Sequence, residues 1–272
     1  MNFGLIIVGD EILSGKRQDK HLPKVIELLA ARGLSLGWAR YVGDDPARIA
    51  SDLKDAFAAA ERDGDMVFSC GGIGATPDDH TRQSAARALG RSLVLHPEAR
   101  DLIVQRMREM AAEQGVPFEP DRHDNAHRLN MGVFPEGAEI IPNPYNRIAG
   151  FSVRAGEGGV WFVPGFPVMA WPMIEWVLDH RLAHLHCSEA QREQSVIVFG
   201  AMEAALTPLM EDIESRFADI KVFSLPSVDH PEWGRHIELG VKGVGDSVAA
   251  AYRHLLDGLR IHGAKLGPEL VR

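Results

Sequence analysis

Cysteine is nearly absent from this 272-residue chain. Cys70 and Cys187 are the only two, too few for a disulfide framework or a four-thiolate metal site. Cys70 falls in an apolar run and reads as a buried strand residue. An excess of positive charge is also lacking: Lys and Arg number 29 against 38 Asp and Glu, a formal charge of −9. Nothing in that balance leads one to expect nucleic-acid or anionic-membrane binding. Long apolar runs are missing too. The first, residues 3–8, is far too short for a signal or membrane segment, and no basic leader precedes it. There is no convincing internal repeat and no low-complexity tract. These absences point to a soluble cytoplasmic protein, whose 45% hydrophobic content can build a substantial core in one or two domains.

The most informative stretch is Ser69-Cys70-Gly71-Gly72-Ile73-Gly74-Ala75-Thr76-Pro77-Asp78-Asp79-His80-Thr81. It joins an apolar strand to a helix start through three glycines, followed by adjacent carboxylates. Glycines let backbone N–H groups approach an anion closely, and a helix beginning behind them aims its free N–H groups at the same point. Thr76 reads as the N-cap and Pro77 as the first helical residue. Neither a Gly-Lys-Ser/Thr nor a Gly-x-Gly-x-x-Gly fingerprint is present in this loop. Two carboxylates beside an anion site would repel a phosphate, unless a divalent cation lies between them or the ligand meets them through hydroxyl groups. Thr76-x-x-Asp79 also fits a capping box, in which acids in a first helical turn simply offset the macrodipole.

Along the first ninety or so residues, apolar runs alternate with helical patterns: strand 3–8, helix 20–32, strand 36–42, helix 46–62, strand 65–70 and helix 77–89. Gly33 and Gly90 read as helix stops, and Asp45-Pro46 as a helix start. This rhythm predicts an α/β fold, three layers around a mainly parallel sheet, with ligands at the carboxyl ends of the strands. The strand exits Gly9-Asp10-Glu11, Gly43-Asp44-Asp45 and the Gly71 loop are all polar.

A helix over 97–114 follows, then a His-rich polar connection over 121–128, which lacks regular metal-ligand spacing and reads as an exposed loop. A strand over 160–163 runs into Pro164-Gly165-Phe166-Pro167, and a helix over 170–182 carries Trp171, Met173, Trp176 and Leu178, as core or subunit interface. The pattern restarts with strand 195–199, helix 203–217, strands 220–224 and 235–241, and helix 246–261. This predicts a first domain over 1–183 and a second, smaller α/β domain over 190–262, with residues 263–272 as a tail.

The ordered motifs Gly9-Asp10-Glu11-Ile12-Leu13-Ser14-Gly15, Val42-Gly43-Asp44, the Gly71–Thr81 run, Pro135-Glu136-Gly137-Ala138, Pro142-Asn143-Pro144 and Val163-Pro164-Gly165-Phe166-Pro167 resemble those of CinA-type (competence/damage-inducible) proteins. Their leading domain is similar to the molybdopterin-binding domain of the MoaB and Mog molybdenum-cofactor biosynthesis proteins. The resemblance covers roughly residues 1–180, and the smaller unit also looks like the family's linker-proximal domain. The C-terminal amidohydrolase domain of that family, which deamidates nicotinamide mononucleotide, has no room here, so that activity is expected to be absent.

Three readings follow from the resemblance. One is divalent-metal-dependent hydrolysis of ADP-ribose or a related nucleotide pyrophosphate. Another is binding of molybdopterin or a pterin phosphate in molybdenum-cofactor biosynthesis. The third is a non-catalytic relative. For the first, the resemblance implies Asp79 and Asp44 as ligands of magnesium or a similar cation, with Glu11 completing the catalytic acids. Asp10 would support the site. Gly71, Gly72, Gly74 and Thr76 would hold phosphate oxygens, while Asn143, Pro144, Arg147, Pro164, Gly165 and Phe166 would shape the organic end. The partner implied is a small phosphate-containing molecule, and a homodimer is expected. Where the family usually reads Gly-Thr-Ala-Pro-Gly-Phe, this chain has Asn146-Arg147-Ile148-Ala149-Gly150-Phe151, and a lysine-containing family segment appears as Leu129-Asn130-Met131-Gly132. The lost Lys and gained Arg either keep a positive charge at the pocket or alter its specificity or chemistry.

Overall fold

A computed structural model describes residues 1–119, 123–187 and 191–271 of the chain. By contact density it divides into two compact units, Met1–His186 and Cys187–Arg272.

The first unit contains strands β1 (Phe3–Val8), β2 (Leu36–Val42), β3 (Met66–Cys70), β4 (Leu93–Leu95), β5 (Val133–Pro135), β6 (Glu139–Ile141), β7 (Gly150–Ala155) and β8 (Gly158–Val163). Its helices are α1 (Asp10–Leu13), α2 (His21–Ala30), α3 (Pro46–Asp63), α4 (Thr81–Leu89), α5 (Pro97–Glu113), α6 (His123–Leu129) and α7 (Pro167–His180). The main sheet has the order β2-β1-β3-β8-β7-β6. The first four strands in that order are parallel, whereas β7 runs against both of its neighbours. The fold is therefore α/β around a mixed, mostly parallel sheet.

Covering both faces explains the sequence of the central strands. Every residue of β1, β3 and β8 is buried, so these strands read as continuous apolar runs rather than alternating ones. Phe3, Leu5 and Ile7 point to one side, against Val25 and Leu29 of α2 and Met173, Ile174 and Val177 of α7. Ile6 and Val8 point to the other, against Ile49, Leu53 and Phe57 of α3. On that second face Phe151 stacks on Phe162 at 4.3 Å and on Phe134 at 4.7 Å. Trp171 and Trp176 are only partly buried at the margin of the first face.

Some expected elements differ. Helix α4 begins at Thr81, not Pro77, because Thr76–Asp79 forms a turn of its own. Residues 123–129 are helical, not an exposed loop; Asp121 and Arg122, the start of that polar run, lie outside the described residues. The short α1 and the strands β4, β5, β6 and β7 go beyond the elements expected from the sequence.

The second unit comprises β9 (Gln191–Phe199), α8 (Glu203–Arg216), β10 (Ile220–His230), β11 (Gly234–Val244), α9 (Ser247–Ile261) and β12 (Lys265–Val271). Its antiparallel sheet has the order β10-β11-β9-β12. Leu206 and Ile213 of α8 and Val248, Leu255 and Leu259 of α9 pack on Val196, Val198, Leu239 and Val241. The expected tail is thus a strand: β12 pairs with β9, with an irregularity between Leu266 and Glu269 around Gly267-Pro268.

Candidate functional site

At the carboxyl ends of β1, β2, β3 and β8 lies a cavity of about 540 Å³, a size suited to a small organic ligand. The Gly71–Asp79 loop forms its floor. Gly71 has φ 105° and Gly72 φ 69°, conformations open to glycine and costly for other residues. Space makes the same demand, since a Cβ on Gly71 would lie 2.3 Å from the Val8 carbonyl oxygen and one on Gly72 would lie 2.2 Å from the Thr81 hydroxyl. Thr81 stitches the loop to its helix. Its hydroxyl donates to Gly71 O (3.0 Å) and its N–H to Gly72 O (2.9 Å). Arg82 clamps the far side, donating to Gly74 O (2.6 Å) and to Asn130 O. Its guanidinium is buried, which pulls its pKa down from the usual value. The Gly71 N–H is taken up by Val163 O, while the N–H groups of residues 72–75 meet no acceptor among the described residues. These are the amides free to face an anion.

The carboxylates form one wall. Asp10 and Asp44 exchange hydrogen bonds: Asp10 N–H donates to Asp44 Oδ2 (2.9 Å) and Asp44 N–H to Asp10 Oδ1 (3.2 Å). This locks the exits of β1 and β2 together. Asp10 serves there and does not line the cavity, whereas Glu11, Asp44, Asp78 and Asp79 do. Asp79 Oδ2 accepts from the Thr76 N–H (2.8 Å) and hydroxyl (2.6 Å). Thr76 therefore binds Asp79 in a pre-helical turn, where it was expected as the cap of α4.

Burial raises the Asp44 carboxyl above its ordinary pKa; the Asp10 N–H opposes this, and the charges of Asp10, Glu11 and Asp78 add to it. With the folded pKa above the unfolded one, the folded state holds the proton to higher pH. Stability from this group is then lost as pH rises through the window above about 3.9, the ordinary Asp value. Asp44→Asn, which keeps an acceptor for the Asp10 N–H, is expected to raise the melting temperature at pH 7 by roughly one to three degrees, because water screens a half-exposed group to under about 1 kcal/mol. The gain should vanish near pH 4 in paired melts; an equal gain at both values would contradict the assignment.

On the opposite wall, Pro164, Gly165 and Phe166 join Met131, Ile148, Ala149 and Met169. His21 Nε2–H donates to Gly165 O (3.0 Å), and Asp19 caps the start of α2 through the N–H groups of His21 and Leu22. Of the residues expected at the site, Glu11, Asp44, Gly71, Gly72, Gly74, Thr76, Asp79, Pro164 and Gly165 come together here. Asn143, Pro144 and Arg147 do not: they line a separate hollow of about 310 Å³ with Leu102, Pro172 and Trp176. Asn143 acts through shape, its amide donating to Asn146 Oδ1 and Ile148 O (2.8 and 2.9 Å). The Arg147 guanidinium pairs with Glu109 (3.0 Å), so the gained charge does not replace a cleft lysine. The sequence did not single out Arg17 and Met169 on the cavity or Arg82 and His21 behind it, whereas Met131, Asn146 and Ile148, also on the cavity, fall in the two segments where the chain departs from the family pattern.

Among the described residues, no group of three or more His, Cys, Asp or Glu side chains gathers as a metal site. Asp44 and Asp79, the expected metal ligands, each have one oxygen engaged by a backbone N–H. No helix among the described residues is long and apolar enough to cross a membrane.

Residues 4–184 match the family model described as a probable molybdopterin binding domain. The chain is 30% identical to a CinA-like protein of Syntrophotalea carbinolica over 80% of its own length and 51% of that protein's. It is 32% identical to a CinA-like protein of Anaeromyxobacter dehalogenans over 78% of its length and 49% of that protein's. The chain thus spans about half the length of these curated relatives. Among solved structures, the CinA protein of unknown function from Thermoplasma acidophilum aligns over 66% of this chain and 98% of its own, with a TM-score of 0.55 at 24% identity, a likeness of fold.

Proposed function

The chain belongs to the family of probable molybdopterin binding domains, and on that premise we propose that its strand-end cleft binds a phosphorylated pterin of the molybdopterin class. The observation that carries the reading is the juxtaposition of two unlike surfaces in one cavity. Free amides of residues 72–75 offer donors to a phosphate, while the carboxylates of Glu11, Asp44 and Asp79 offer acceptors to the amino and ring N–H groups of a pterin. Phe166, Met131, Ile148 and Met169 supply apolar surface for a flat heterocycle.

The residues do the work of binding and orientation. Asp10 holds Asp44 in place, Thr81 and Arg82 hold the glycine loop open, and His21 fixes the Pro164–Pro167 turn.

The test is a binding titration of the purified chain with molybdopterin, beside a turnover assay with ADP-ribose and added Mg²⁺. Saturable pterin binding is expected, weakened about tenfold or more in Asp79→Asn, since a hydrogen bond to a charged group is worth about 1.5–3 kcal/mol. Asn retains an oxygen for the two Thr76 donors, so the loop turn should survive. Unchanged affinity in that variant would assign Asp79 to the turn alone. Magnesium-dependent turnover without pterin binding would replace this reading by nucleotide pyrophosphate hydrolysis.

A further inference from the structure

Charge in the cleft is lopsided. Among the described residues four carboxylates line it, those of Glu11, Asp44, Asp78 and Asp79, against a single cationic side chain, Arg17. A phosphate placed among those acids meets repulsion that neutral amides only partly offset, because two like charges 4 Å apart near a protein surface interact by about 4 kcal/mol. Arg17 lies in the segment between α1 and α2. Its backbone is pinned by its N–H to Glu11 O (2.9 Å), and its guanidinium carbon lies 5.9 Å from the centroid of the Phe166 ring, within the range of a cation–π contact. The start of α2, which follows the segment carrying Arg17, is joined to the turn carrying Phe166 through His21 and Gly165. The guanidinium is thus held at the cavity with no carboxylate partner among the described residues, and the fork of N–H donors along its edge remains open to a bidentate oxyanion.

We propose that Arg17, braced by Phe166, reads the anionic end of the ligand and makes the site select phosphorylated over unphosphorylated pterins. This rests on the pterin reading of the cleft and adds to it the residue that decides between ligands of the same ring. Arg17 is exposed, so its replacement leaves the core untouched.

The experiment measures binding of 6-hydroxymethylpterin and of its phosphate ester at low salt, to the wild-type chain, Arg17→Gln and Arg17→Lys. The wild-type chain is expected to favour the phosphate ester at least tenfold, the scale of a charge-assisted hydrogen-bond pair. Arg17→Gln should bring the two affinities to within about threefold by weakening the ester alone, and Arg17→Lys should retain part of the preference. The preference should also shrink with added salt in the wild type and much less in Arg17→Gln. A preference that persists in Arg17→Gln overturns the assignment while leaving the pterin reading standing. Binding of neither compound by the wild type overturns the pterin reading, and this inference with it.

Discussion

Gly71→Ala should abolish ligand binding and destabilise the first unit by roughly 2–5 kcal/mol, combining overpacking with a strained backbone. The new methyl would lie 2.3 Å from the Val8 carbonyl oxygen, an atom held within β1. Neither partner is a flexible side-chain end that could swing away, and φ 105° is unfavourable for alanine even in open space. Relief would require moving the loop out of β3's line, which breaks the Thr81 hydroxyl bond to Gly71 O and displaces the amides of residues 72–75. Thermal melts and a pterin titration check both halves. A variant that melts and binds like wild type would mean the loop has more room than its geometry shows. Gly90→Ala offers a contrast, since a Cβ there meets nothing within 4 Å and only the left-handed φ of 64° opposes it.

Arg82→Met should be the second severe change, costing roughly 1.5–3 kcal/mol, because it takes a charged donor from two partly buried carbonyls, those of Gly74 and Asn130. The Arg82 side chain ties Gly74 of the glycine loop to Asn130, and the neighbouring Met131 lines the cavity. Loss of the tie should loosen two walls together, weakening binding by tenfold or more at temperatures where the chain remains folded. Arg82→Lys, able to satisfy one carbonyl but not both in the same geometry, should fall between. Titrations well below each variant's melting point separate the two effects. Equal affinity in wild type and Arg82→Met would confine Arg82 to stability.

The parallel core was readable from sequence because burial on both faces leaves a strand no polar side to present; β1, β3 and β8 stand out as apolar runs for that reason. Helix α3 announced itself through Asp45, which accepts from the Arg48 N–H, and through Pro46 at its first position. Helix α4 starts later than its residues suggest because Thr76 and Asp79 have the residue types of a capping box and do bond one another, but do so in a turn that ends before the helix. Strand β12 was hidden by Gly267 and Pro268, and by a partner, β9, that lies far back in the chain. At the site, acids at strand exits were legible because a parallel sheet gathers those exits at one end. Arg17 was not, because Lys16-Arg17-Gln18-Asp19-Lys20 has the look of any solvated loop and its contact with Phe166 spans most of the unit's sequence. Asn143, in a family motif, and Arg147, at a departure from one, are both expected at the ligand, whereas the Asn143 side chain shapes the backbone and Arg147 pairs with Glu109.

The reversed polarity of β7 determines how this protein could change its ligand. Since β6 and β7 are antiparallel neighbours, the stretch 142–149 between them is a hairpin tip at the edge of the sheet, with no helix to carry across. Its two ends are fixed side by side where Ile141 pairs with Gly150, and its Asn146, Ile148 and Ala149 reach the cavity. The other walls are anchored to crossovers, so a lengthened or shortened segment there would drag a helix along the core. The tip can gain or lose residues without that penalty. It is the place where insertions would be tolerated and where a library of altered loops would reshape one wall of the cavity while the glycine-loop floor stays unchanged.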